Sequence, residues 1–385
     1  MSTQVNWNYP TPISVGAGRV AELPVLCMAH GMRKPLLVTD PGLALLPMVT
    51  AVIDQCREAG LGIACFSKIK PNPTGANVAD GVTAFLAGDH DGIIAMGGGS
   101  GLDAAKAIAI IAGQACPLWD LEDIGDNWRR VDTQVLVPVI AIPTTAGTGS
   151  EVGRAALIVN EDEQRKVIIF HPRMLPDHVI LDAELTTGLP PGLTAATGMD
   201  ALSHCLEAYC STYYHPMAEG IAMAGISLVK EYLPLVVVDG TNIESRQQML
   251  VASTMGATAF QRGLGAMHAL AHPLGAVYDA HHGMLNAILM PYVLKANYKA
   301  IREPITRLAR YLELAPDFDA FMDWVLALRA EIGIPHSLAA IIDIELFPTE
   351  IGAMAAVDPS AGSNPLDFTP QQYQAILEAA HVGEL

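Results

Sequence analysis

A chain of 385 residues is longer than one ordinary hydrophobic core organises, and predicts two domains or three. Hydrophobic residues make up 51% and charged residues 16%, yet no run reaches the roughly 18 uninterrupted apolar residues that a membrane helix needs. The formal net charge of −18 argues against nucleic acid as a partner, because affinity for a phosphate backbone rests on Lys and Arg.

The start, residues 1–12, is polar, with no basic residue and no apolar stretch, so no export signal is expected. Six cysteines are scattered without a Cys-x-x-Cys pair, which suits a reducing cytoplasm and not a disulfide framework. Lys34–Thr39 is a short apolar run ending in Asp-Pro-Gly, a strand and a turn. Val49–Ala59 has helical spacing, and Gly62–Ser67 reads as a second strand. Gly92–Met96 is a third strand, followed by the glycines 97–101 and a helix from Leu102. Val137–Ile142 is a fourth, running into a Thr/Gly-rich turn, and Lys166–Phe170 and His178–Leu181 look like further strands. This alternation predicts an α/β domain over residues 1–189, with a mostly parallel, Rossmann-like sheet.

After Leu189-Pro190-Pro191-Gly192 the texture changes to Ala-, Leu- and Met-rich segments of three-to-four-residue period. Residues 190–385 are therefore expected to form an all-helical domain, with breaks near Pro291, Pro316, Pro335 and Asp358–Pro365.

Two loops carry ligand chemistry. Gly97-Gly98-Gly99-Ser100-Gly101-Leu102-Asp103 follows a strand and opens a helix. Glycines there allow close backbone approach, and the helix N-terminus offers free N–H groups to an anion such as a pyrophosphate. The spacing is not G-x-G-x-x-G, and a plain turn is the alternative. The second loop, Pro143–Glu151, also leaves the carboxyl end of a strand, where open α/β sheets bind ligands. Asp40 has two readings: acceptor for a ribose 2′-hydroxyl, favouring NAD over its phosphorylated form, or a residue of the Asp-Pro-Gly turn.

In the second half, Asp200 and His204 stand four apart within GMDALSHCLEAY, and His268, His272 and His282 fall within GLGAMHALAHPLGAVYDAHHG. Residues four apart share a helix face. One carboxylate with three imidazoles, Asp200, His204, His268 and His282, makes a set suited to a divalent transition metal. His272, one turn past His268, points in nearly the same direction. A single Asp-x-x-x-His pair reads as chance placement of core or surface groups; the added His-x-x-x-His and His282 argue for a site. Cys205 and Cys210, five apart, read as buried thiols.

Over nearly its full length the chain resembles the iron-containing (group III) alcohol dehydrogenases. The likeness is carried by PTPISVGAGRVAELP, VTD at 38–40, GGGSGLDAAK at 97–106, IPTTAGTGSEV at 142–152, ATGMDALSHCLEAY at 196–209, GLGAMHALAHPLGA at 263–276 and HHGMLNAILMPYV at 281–293. The resemblance implies a dinucleotide-binding domain, a helical domain and a metal in the cleft between them. It implies that Asp200, His204, His268 and His282 are the ligands and that His272 lies near the substrate. It puts Gly98, Gly99 and Ser100 at the pyrophosphate, and Asp103, Thr144, Thr145, Thr148 and Lys166 near the cofactor. A solvated surface lysine is the other reading of Lys166. Gly153-Arg154 departs from the family's usual Thr, and Ala259–Arg262 is one residue short, along a stretch expected to line the substrate pocket. Arg262 has two readings, a clamp for a carboxylated substrate or a surface or interdomain ion pair.

The expected activity is reversible hydride transfer between NAD(H) and a small primary alcohol or aldehyde. Fe2+ would act as Lewis acid and His272 as proton relay. Zn2+, Ni2+ or Co2+ also suits the ligand set. The rivals are a zinc polyol dehydrogenase of the glycerol type, a hydroxyacid or semialdehyde reductase of the same superfamily, a cyclase related to dehydroquinate synthase, and a non-catalytic binding protein. A cytoplasmic homodimer or higher homo-oligomer is expected, with no nucleic-acid or membrane partner.

Overall fold

The computed structural model describes residues 9–163, 165–342 and 350–385; most of the polar N-terminal stretch lies outside the described residues. The chain divides into two compact units, Tyr9–Gly188 and Leu189–Leu385.

The first unit is built on β1 (Ile13–Val15), β2 (Pro35–Val38), β3 (Ala64–Phe66), β4 (Gly92–Gly97), β5 (Val139–Pro143) and β8 (His178–Leu181), in the order β1-β8-β5-β4-β2-β3. All pairings are parallel. The central strands β2, β4 and β5 are buried at every position, which is why they read as continuous apolar runs instead of alternating ones. β6 (Ala155–Asn160) and β7 (Arg165–Phe170) form a separate antiparallel pair. Helices α1 (Leu23–Ala29), α2 (Pro47–Glu58), α3 (Gly75–Ala87) and α4 (Gly99–Ile111) connect the strands. From Gly101 to Ile110, α4 is buried on all sides, including its two charged residues, Asp103 and Lys106. Gly81 lets α3 close on α4: a β-carbon there would lie 2.2 Å from Ile108 Cδ1.

The strand order places the functional edge. From β2 the chain moves outward to β3, then returns to lay β4 on the other side of β2 before continuing to β5. The direction of winding therefore reverses between β2 and β4. At such a switch point the connections after neighbouring strands diverge and leave a crevice at the carboxyl ends.

The second unit contains α5 (Pro191–Cys210), α6 (Pro216–Val238), α7 (Ile243–Ala259), α8 (Ala266–Tyr278), α9 (His282–Tyr311), α10 (Phe318–Glu331), α11 (Glu350–Ala356) and α12 (Pro370–Val382). α5 is its axis, buried from Thr194 to Tyr209 apart from Thr197 and packed on α6, α7 and α9. Pro191 occupies the first turn of α5, where its missing N–H is no loss. α6 is long and apolar enough to cross a membrane by length and composition alone, but one face of it packs against α5 and α7.

Three differences from expectation have physical causes. The predicted break at Pro291 does not occur: α9 runs through Pro291 and Pro304. A proline inside a helix costs about 3 kcal/mol, which burial of Leu285, Ile288, Leu289, Tyr292 and Val293 around it outweighs. The helix after the glycines starts at Gly99 and not Leu102, because Gly98 serves as its extended N-cap. The elements β1, β6 and α3, absent from the sequence reading, owe their form to β8, to β7, and to a Thr74–Asn77 capping box respectively.

Candidate metal centre and nucleotide loops

Within the helical unit, α5 places Asp200, His204 and Glu207 on one face, at i, i+4 and i+7. α8 contributes His268 and α9 begins with His282. Asp200, His204 and His268 are 3%, 4% and 1% exposed, and one ligand atom from each lies within 4.8 Å of the others. The His204 and His268 rings stack at 4.6 Å. His282 Nε2 is 3.7 Å from Asp200 Oδ1, and its ring centre is 5.2 Å from that of His268.

Glycines permit this convergence. A β-carbon on Gly283 would stand 2.5 Å from the Ala196 carbonyl oxygen, so the first turn of α9 meets the backbone of α5 directly. One on Gly256 would press at 3.1 Å on both Ala201 O and His204 Cβ.

The surroundings hold these rings in place. His268 Nδ1 lies 2.6 Å from Glu207 Oε2, and Glu207 Oε1 accepts the Met267 amide at 2.7 Å. Burial of the His268 ring opposes its charged form, but Glu207, Asp200 and Asp358 outweigh that and raise its pKa. The fully buried Asn286 directs its side-chain nitrogen to Asp200 Oδ1 at 2.8 Å, and to Nε2 of both His268 and His282 at 3.2 Å. Among the described residues its buried carbonyl oxygen has no hydrogen-bond partner. A carboxylate and two imidazoles buried together, with the part-exposed His282 at their edge, repay their desolvation poorly by themselves. Their donor chemistry fits a divalent cation.

His272 stacks on His282 at 5.4 Å with planes 10° apart, and its Nδ1 lies 2.9 Å from Asp358 Oδ2. Burial alone would raise the Asp358 pKa; the His272 ring and the amide and hydroxyl of Ser360 outweigh it and hold the carboxyl below its usual range. Glu207, Asn286 and Asp358 were not singled out from sequence. Glu207 had a signal, since Asp200-x-x-x-His204-x-x-Glu207 keeps one helical face. Asp358 had none, being 86 residues from its partner.

In the sheet unit the two glycine/threonine loops meet at the carboxyl ends of β4 and β5. The Thr144 amide donates to Gly97 O at 3.0 Å. A β-carbon on Gly98 would lie 3.2 Å from Thr145 Oγ1, and one on Gly99 2.5 Å from Thr148 Oγ1. Gly98, having no side chain, caps α4 without a side-chain hydrogen bond to its first amides. Asp40 closes its own turn by accepting the Leu43 amide at 2.8 Å. Asp103 is buried and points inward: it accepts from the Ser150 hydroxyl, from the Leu157 amide at 3.0 Å, and faces Lys106 Nζ at 3.4 Å. Lys166 lies on β7, paired with Val159, and so belongs to the hairpin instead of either loop.

Lys106, unremarked in the sequence, is 2% exposed and donates to the carbonyls of Ser150 and Ala155 at 2.9 and 2.5 Å. Burial lowers its pKa, against the raising influence of Asp103 and Glu151. Arg262 does not offer a free guanidinium. Its Nε donates to Tyr213 O and its Nη1 to Tyr209 O, and Glu219 lies 3.3 Å away. It neutralises the carboxyl end of α5, so the ion-pair reading of this residue holds.

The family model for iron-containing alcohol dehydrogenases matches residues 10–183, and the C-terminal model of the same family matches 194–381. The chain is 38% identical over 380 residues to 4-hydroxybutyrate dehydrogenase of Cupriavidus necator, spanning 96% of this chain and 98% of that protein. It is 37% identical to the NAD-dependent methanol dehydrogenase of Bacillus methanolicus, spanning 97% and 99% of the two chains. A crystal structure of 1,3-propanediol oxidoreductase superimposes with a TM-score of 0.90 at 35% identity, covering 98% of this chain and all of that one. The two family models together span nearly the whole chain, and it belongs to the iron-containing alcohol dehydrogenase family, whose members are oxidoreductases of small alcohols.

Proposed function

We propose that Asp200, His204, His268 and His282 bind a divalent iron and that the enzyme interconverts a small primary alcohol and its aldehyde using NAD(H). The observation that carries this reading is the buried convergence of Asp200, His204 and His268 ligand atoms, with His282 beside them. Bound there, iron supplies Lewis acidity toward a substrate oxygen, and the nicotinamide supplies or takes up the hydride. The protein's part is alignment and proton handling. Three neutral imidazoles and one carboxylate leave a divalent ion with net positive charge.

His272, held at Nδ1 by Asp358, keeps Nε2 for moving the proton that alcohol oxidation releases. Gly98, Gly99 and Ser100 offer backbone amides to the pyrophosphate, while Thr144, Thr145 and Thr148 offer hydroxyls beside them. Lys166 adds a cation on the neighbouring hairpin. Asp40 keeps a second carboxylate oxygen for a ribose hydroxyl while the first closes its turn, which favours NAD over the 2′-phosphorylated form. Asp103 serves the cofactor indirectly, by anchoring α4 to the second loop. A reducing, cytoplasmic setting fits the six free cysteines.

The test is a spectrophotometric NADH screen of short aldehydes, acidic ones and glycerol's oxidation products included, with and without added Fe2+. Metal-dependent oxidation of NADH by an unbranched aldehyde is expected. Cofactor binding with no turnover across the whole panel would overturn the enzymatic reading.

A further inference from the structure

Glu207 is buried to 5% exposure, carries no role in hydride or proton transfer, and connects two helices that supply the ligand set. It stands on α5, one helical face with Asp200 and His204, and reaches across to α8. There one oxygen accepts from the Met267 amide in the first turn, and the other from the His268 ring. Gly265 makes room: a β-carbon on it would lie 2.9 Å from Glu207 Oε1. A carboxylate has no proton to give, so the nitrogen facing it, Nδ1, must be the protonated one. In the neutral ring, Nε2 is then left with its lone pair.

We infer that Glu207 is the positioning residue of this centre: it fixes His268 in the Nε2-ligating tautomer and ties that ring to the helix bearing Asp200 and His204. The inference rests on the metal reading above and deepens it. Two donors converge on Glu207, and only a group with two acceptor oxygens satisfies both. A carboxamide cannot. If its oxygen takes the Met267 amide, its NH2 faces Nδ1 and drives the ring to the opposite tautomer, with a proton on Nε2. If its oxygen takes Nδ1–H instead, its NH2 meets the backbone N–H and a buried donor goes unpaired. Loss of such a carboxylate partner behind a ligating histidine typically weakens metal binding 10–100-fold.

The experiment measures Zn2+ and Co2+ dissociation constants of the full-length protein by competition with a chromophoric chelator, for wild type, Glu207→Gln and Glu207→Ala. Melting of each metal-free form is recorded alongside. A 10–100-fold loss of affinity in Glu207→Gln, in protein that melts cooperatively, is expected. Nitrogen NMR of the wild-type zinc form, which needs no variant, is expected to show His268 protonated at Nδ1. Affinity within threefold of wild type in Glu207→Gln, or a His268 ring ligated through Nδ1, overturns the inference and leaves the metal reading standing. Failure of the wild type itself to bind either ion overturns both.

Discussion

At the level of single residues, the candidate ligand cluster was legible because helices put i and i+4 on one face, and Asp200–His204 is such a pair in a largely apolar helix. What holds them was only partly legible. Glu207 continues the same face by a further turn, but a lone buried carboxylate in sequence looks like any other acid until its partner across the helix pair is seen. Replacing His268 with Ala is expected to reduce bound metal to less than a tenth per chain by elemental analysis, with the helical content by circular dichroism unchanged. For His272→Asn the expectation is different: metal content stays at the wild-type level while kcat falls by roughly 10²-fold or more, the scale of a lost general acid–base group. Retention of full kcat in that variant would remove His272 from proton transfer. Asp40→Gly is expected to narrow the preference for NADH over NADPH at least severalfold in kcat/KM; an unchanged preference would leave Asp40 as a turn residue alone.

At the level of elements, long apolar strands and the helix-rich second half followed from pattern, whereas short or context-made elements did not. β1 is three residues long and exists because β8, far along the chain, gives it a parallel partner. α9 passes through two prolines because tertiary burial outweighs local propensity. The glycine loops were recognisable by composition, but their mutual support was not. Lys106 and Asp103 bind α4 to the second loop and to β6 through groups 44 to 54 residues apart. Lys106→Met should therefore destabilise the protein by about 3–5 kcal/mol, since it strips a buried carboxylate of its cation and orphans backbone carbonyls. Chemical denaturation would read this, and a change under 1 kcal/mol would mean the network is dispensable. In Gly99→Ala, the new methyl meets Thr148 Oγ1, so NADH affinity should fall while metal content does not.

For the whole molecule, the resemblance visible in seven sequence blocks points to the activity, and the winding reversal between β2 and β4 points separately to a ligand crevice at the carboxyl ends of the sheet. The sequence alone supplied the candidate chemistry of the site, because Asp and His are rare in apolar helices and Asp200 and His204 stand at helical spacing. It could not supply the packing that lets helix backbones approach at Gly256 and Gly283, which depends on partners distant in the chain. Metal that binds only the folded chain should stabilise it by about 2.7 kcal/mol at a hundredfold excess over its Kd. The most direct measurement strips the protein of metal, confirms that it remains folded, and follows NADH oxidation by a short aldehyde before and after adding Fe2+. The account predicts loss of turnover on stripping and its return with Fe2+. Full turnover in the metal-free protein, unchanged by Fe2+, Zn2+ or Ni2+, would contradict it.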